Sequence, residues 1–173
     1  MDIKKYSEVV SSHTLPRWNE LPDFQLYMDQ VLSLMQKYLE PYFDEDALTP
    51  SMINNYVKHE ILPPPEKKRY SKTHLAYLVV ICLLKRQIPI STIGTIIKEE
   101  TKKSGIEEFY NSFVTLYQNE IKSTVDSIKE DDVQALALTL TVSASAKHAV
   151  AESAVLLAFP HTEKEKKPKK EKK

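Results

Sequence analysis

Glycine, cysteine and net charge are what this chain of 173 residues has least of, and each shortage removes a class of protein. Gly94 and Gly105 are the only glycines. That is too few for the tight turns of an all-β fold or for a glycine-rich phosphate loop, so composition leans towards helices. Cys82 is the single cysteine, which excludes an internal disulfide framework. Lying in the apolar run LAYLVVICLL, it reads as a small buried hydrophobe rather than a reactive thiol. The five histidines (13, 59, 74, 148 and 161) are scattered, and one cysteine cannot make a structural zinc site, so no metal is expected. No nucleophile elbow or His-Glu metal motif occurs, and neither an enzyme nor a cofactor is expected. The start, MDIKKYSEVVSSH, lacks the apolar region of a signal peptide. The longest apolar run, residues 75–84, falls far short of the roughly 20 residues that cross a bilayer. A cytoplasmic protein is expected.

The zero net charge hides a division. Residues 163–173 hold seven lysines and three glutamates, a surplus of +4, so residues 1–162 sum to −4. A slightly acidic body does not attract nucleic acid as a whole, and any such contact must come from a local basic patch.

Hydrophobic spacing then lays out the chain. Residues 1–14 show no sustained period and read as a flexible arm. LPRWNELPD, at 15–23, is an entry turn that anchors Trp18. With Asp23 as N-cap, Phe24 to Leu39 recur at helical spacing until Pro41. Thr49-Pro50 is a strong start signal for a short helix over residues 50–60, since threonine caps free N–H groups and proline suits the first helical position. Its inner residues are Ile53, Tyr56, Val57 and Ile61, and Pro63-Pro64-Pro65 stops it. A basic turn, Glu66-Lys67-Lys68-Arg69-Tyr70, precedes a strongly apolar helix that begins at Ser71. Ser91 starts the next helix, which Gly105 closes. An amphipathic helix follows, from Ile106 to about Ile128, carrying the stripe Phe109, Tyr110, Phe113 and Tyr117. A last helix, about 133–159, is apolar on more than one face and must be covered by the domain or by a second subunit. Residues 161–173 form a lysine-rich tail that composition marks as disordered.

The central order of elements resembles the MerR-like winged helix-turn-helix superfamily of bacterial transcription regulators. Leu48, Thr49, Pro50, Ile53, Asn55, Tyr56, Ile61, Leu62 and Pro63 stand where its recognition-helix signature has like residues. Arg69-Tyr70 matches the end of its wing, and Ile88-Pro89-Ile90-Ser91-Thr92-Ile93 its next helix boundary. Two positions depart: Asn54 replaces the signature arginine, and Glu60 the turn glycine. The phrases LPRWNELPDFQLYMDQV, LTPSMINNYVKHEILPPPEKKRYS and HLAYLVVICLLK more closely resemble a bacterial family known as domain of unknown function number 1836.

These resemblances imply an all-α protein. A MerR-like winged helix-turn-helix domain over residues 15–104 is followed by a C-terminal helical extension, residues 105–160, for dimerisation or effector binding. They also imply a DNA-binding transcriptional regulator using helix 50–60 and the basic wing 66–70, with double-stranded DNA and a homodimeric second copy as partners. The residues expected at the DNA are Thr49, Ser51, Asn54, Asn55, Tyr56, Lys58, Lys67, Lys68, Arg69 and Tyr70. Asn54 and Asn55 suit adenine edges or phosphates, and Lys58 and the wing cations suit phosphates. The tyrosine hydroxyls suit phosphates as well, or their rings pack in the core, Tyr56 lying on the stripe of Ile53. Arg69 alternatively pairs with the acidic loop 44–46. The alternative function is a winged-helix module that binds another protein without DNA, with or without a small-molecule sensor in the C-terminal region.

Overall fold

A computed structural model describes residues 3–40, 42, 48–128 and 132–160. It consists of six α-helices: α1 (Ile3–Ser12), α2 (Met28–Leu39), α3 (Pro50–Lys58), α4 (Lys72–Leu84), α5 (Ile90–Asp126) and α6 (Val133–Ala158). A short 3-10 turn, Trp18–Glu20, lies between α1 and α2. Among the described residues, β structure is confined to two isolated antiparallel bridges, Leu26 with Tyr70 and Glu66 with Arg69. The all-α expectation holds. No helix among the described residues is long and apolar enough to cross a membrane.

Helix α4 is the centre of the core. Its apolar side chains point all round the axis, so it must be covered on every side. From His74 to Leu83 every residue except Tyr77 is buried. The cover on one side is α2, through Val31, Met35 and Leu39 at four-residue steps. On another it is α5, through Ile93 and Ile97. Ile53 and Tyr56 of α3 join the same cluster. Each such aliphatic side chain stabilises the fold by about 1.5–3 kcal/mol relative to exposure.

The core runs past residue 104, the end that the resemblance implied for the first domain. Gly105 (φ 80°, ψ 163°) breaks α5 without ending the packing, because Tyr110 and Val114 beyond it belong to the same cluster as α4. Tyr110 is fully buried, and its hydroxyl donates to the Pro16 carbonyl at 2.9 Å. The Trp18 amide donates to Asn111 Oδ1 at 3.0 Å, and Arg17 donates to the Asn111 carbonyl at 2.9 Å. Residues 16–18 are thereby fastened to the second half of α5, and the anchoring expected of Trp18 is present.

Three local expectations are corrected. The arm is helical as α1, because Val10 is buried and the helix packs on α5. Helix α2 starts at Met28 rather than after Asp23, because Leu26 exchanges two 2.8 Å backbone hydrogen bonds with Tyr70 and is held extended. Asp23 instead pairs with Lys72, while Phe24 is 68% exposed. Helix α5 is capped at Pro89, which leaves Ser91 inside its first turn. The acidic loop 44–46 and the tail 161–173 lie outside the described residues, whereas Asp132 caps α6 by accepting the Gln134 amide at 2.9 Å.

The end of α3 explains the glutamate that replaces a glycine. The Ile61 amide reaches back to the Tyr56 carbonyl at 2.9 Å, and the Glu60 amide to the Val57 carbonyl at 3.1 Å. This is the two-bond Schellman closure, with Ile61 and Tyr56 as its buried apolar pair. It requires a left-handed residue between them, and Glu60 adopts φ 57°. Glu60→Gly relieves that strain, and is expected to raise unfolding stability by about 1 kcal/mol in urea titration.

Candidate nucleic-acid interface

Helix α3 turns one polar face to solvent. Thr49 caps the helix, its Oγ1 accepting the Met52 amide at 3.2 Å. With Ile53 and Tyr56 fixed in the core, Ser51, Asn54, Asn55 and Lys58 fall at i, i+3, i+4 and i+7, and all four are exposed. The side chains at Asn54 and Asn55 carry both a donor and an acceptor, which is the pattern that pairs with an adenine edge.

After α3 the chain makes a two-residue hairpin. Glu66 and Arg69 exchange backbone hydrogen bonds of 3.1 and 2.9 Å, leaving Lys67 and Lys68 at the tip. Both lysines are left-handed, with φ of 49° and 64°. Positive φ at both central residues is the pattern of a type I′ turn, which favours Asn-Gly or Gly-Gly. Neither lysine has a glycine's freedom, so the tip stores strain of roughly 1–2 kcal/mol per residue. What the turn gains is two exposed ammonium groups, eight residues or more beyond the end of α3 in sequence. Arg69 stands over the Tyr27 ring, 5.2 Å from its centroid, and donates to the Tyr27 hydroxyl at 3.1 Å. Its guanidinium is thus held by an aromatic side chain just before α2. From residue 58 to residue 69 the exposed side chains include four cations (Lys58, Lys67, Lys68 and Arg69) against two carboxylates, Glu60 and Glu66.

Not all the expected residues reach this surface. Tyr56 and Tyr70 are 6% and 3% exposed and pack in the core, so neither ring is offered to a phosphate. Burial pushes the Tyr56 phenol up to about 12 and raises that of Tyr70. Thr49 spends its oxygen on the cap. The exposed set is Ser51, Asn54, Asn55, Lys58, Lys67, Lys68 and Arg69. Sequence reading missed Tyr27 as the seat of Arg69, and no spacing rule connects residues 27 and 69. Among the described residues, no group of three His, Cys, Asp or Glu side chains is gathered to hold a metal ion.

The family model described as Domain of unknown function (DUF1836) matches residues 16–134. The chain belongs to this family. No curated protein and no solved structure matches it. The DUF1836 match takes in the fastened entry turn, α2 to α5 and the lysine hairpin, and it stops just inside α6. Tyr110 and Val114 therefore lie within the DUF1836 region, in accord with their place in the common core.

His74 ties the hairpin exit to α4. Its Nδ1 accepts the Ser71 amide at 2.9 Å, its ring meets Tyr70 edge to face at 5.4 Å, and its Nε2 is buried without a hydrogen-bond partner. Burial lowers its pKa from 6.5, with the Pro63 and Pro64 carbonyls pulling the other way. The folded chain resists the proton that the unfolded chain accepts. Stability is therefore complete above about pH 6.5 and falls as pH drops below it, by at most about 1.4 kcal/mol per pH unit. Urea midpoints between pH 7.5 and 5.5 are expected to fall in this way, and His74→Asn to flatten the slope. A second expectation concerns the tip. Lys67→Asn with Lys68→Gly supplies the residues a type I′ turn favours, and raises thermal stability by about 1 kcal/mol or more.

Proposed function

We propose that this chain is a sequence-specific DNA-binding regulator of the MerR-like winged-helix kind, with α3 as recognition helix and the hairpin of residues 66–69 as its wing. The observation that carries the reading is the hairpin tip. A turn that would be more stable with glycine instead holds two lysines in strained backbone, and it follows in sequence a helix whose exposed face is serine, two asparagines and a lysine. Strain kept at an exposed site points to use of the side chains there. In this reading Asn54 and Asn55 face base edges, while Lys58, Lys67, Lys68 and Arg69 face phosphates.

Helix α6 supports a paired form. Leu138, Val142, Val150 and Leu157 are 67%, 59%, 72% and 84% exposed, and Leu136 is its one buried residue. Leu138, Val142, Ala149 and Leu156 recur at steps of four and seven, on a stripe that Ser145 and Glu152 interrupt. Its charged side chains are only Lys147 and Glu152, and Lys147 pairs with Glu120 of the same chain at 3.4 Å. A second copy of α6 therefore meets little charge. Glu60, exposed at the end of α3, favours a second reading, in which this face holds a protein rather than DNA.

Selection from a random DNA pool separates the two readings. An enriched motif is expected, with binding that weakens as salt rises. Asn55→Ala is expected to relax the motif at a cost of about 1–3 kcal/mol. Lys67→Asn with Lys68→Gly is expected to weaken all sequences and to lower the salt slope by about 2, although the protein is more stable. Absence of any enriched motif at low salt overturns the DNA reading. Light scattering of the full chain is expected to give a dimer, and Val142→Glu with Val150→Glu a folded monomer.

A further inference from the structure

A second feature lies on the other side of α3. The last turn of α3, the loop 60–64, Tyr77 of α4 and the first half of α5 enclose a cleft of about 630 Å³. That is within the usual size of small-molecule sites. Its floor is apolar, from Val57, Ile61, Leu62, Pro63 and Ile97. The closeness of the two walls at one end depends on Gly94. A Cβ there would meet Ile61 Cγ1 at 3.1 Å, so any larger residue would need the Ile61 side chain to give by a few tenths of an ångström. The rim is cationic. Lys58 comes from α3, and Lys98 and Lys102, one helical turn apart on α5, come from the opposite wall. Glu99 holds Lys102 at 2.8 Å, so its charge is partly used, while Thr101 and Tyr77 add polar atoms.

We propose that this cleft binds a small amphipathic anion, a molecule with one carboxylate or phosphate head and a short apolar body. The head meets Lys98 and Lys102, and the body lies on Ile61, Leu62 and Ile97. A nucleic-acid strand fits less well, because its phosphates have no use for an apolar floor, and Glu60 on the rim leaves the end with Lys98 and Lys102 as the place for a single anionic head. Because the last turn of α3 is itself a wall, an occupant that reaches from Lys58 to Lys98 fixes the end of α3 against α5. Its consequence for DNA rests on the function proposed above, but the binding does not.

Amide NMR titration of the full chain with octanoate tests this, with n-octanol as the uncharged probe. Saturable shifts in residues 57–62 and 97–102 are expected. Affinity for n-octanol should be at least about ten-fold weaker, and Lys98→Gln with Lys102→Gln should lose roughly ten-fold for octanoate. Both lysines are exposed and outside the proposed DNA face, so that variant keeps the fold and separates the two readings. Shifts centred elsewhere, equal affinity for octanol, or no saturable shift up to about 10 mM overturns the proposal.

Discussion

The burial of α4 on all sides is the constraint that shapes the rest. A helix with apolar side chains around its whole circumference has no stable position at a surface, so other segments have to close over it. Two amphipathic helices, α2 and α5, supply most of the cover, and α3 supplies less because it turns only Ile53 and Tyr56 inward. That difference leaves α3 with a long exposed face. Cys82 lies at the centre of this packing, fully buried, with its thiol pushed up to about 11, so the one sulfhydryl is chemically silent. The entrance to α4 is equally determined. Tyr70 is buried and paired with Leu26, and His74 folds back on Ser71. The hairpin that precedes them is therefore anchored to the core at its base while its tip stays in water.

Three non-glycine residues have positive φ among the described residues: Glu60, Lys67 and Lys68. All three are exposed, Glu60 at the end of α3 and the two lysines at the hairpin tip. Glycine would adopt that conformation at each position with less strain. Glu60 is a helix closure that works despite its residue, through the buried Ile61–Tyr56 pair. The two lysines are different, since their side chains are the only product of the strain. Within the proposed function, that contrast separates a tolerated departure from one that would serve binding to a polyanion.

The fold was legible where a strong local rule and the packing agreed. Thr49-Pro50 reads as a helix start and is one, and Gly105 reads as a left-handed break and has φ 80°. It was illegible where a distant partner decided. Phe24 to Leu26 have helical spacing, yet the bridge to Tyr70 pulls them straight. Residues 3–12 show little period, yet docking on α5 makes them helical. The site was half legible for the same reason. Identity named Asn54, Asn55 and the cations, but Tyr56 and Tyr70 needed burial to remove them, and Tyr27 needed the folded chain to bring it under Arg69. The left-handed lysines carried no sign at all, because turn chemistry predicts glycine there.

Helix α6 is the one element whose position the core does not account for. Its contact with the body is slight, through Leu136 and the Lys147–Glu120 pair, and much of its apolar surface faces water. An isolated helix of this composition gains little from propensity alone, since helices in proteins draw their stability from packing. Within the proposed function a second α6 supplies that packing. A pairing through α6 would also repeat the α3 face about a two-fold axis, which is what a palindromic site with half-sites one helical turn apart requires. Within the proposed function, the exposed face of α6 and the exposed face of α3 would then be one problem with one solution.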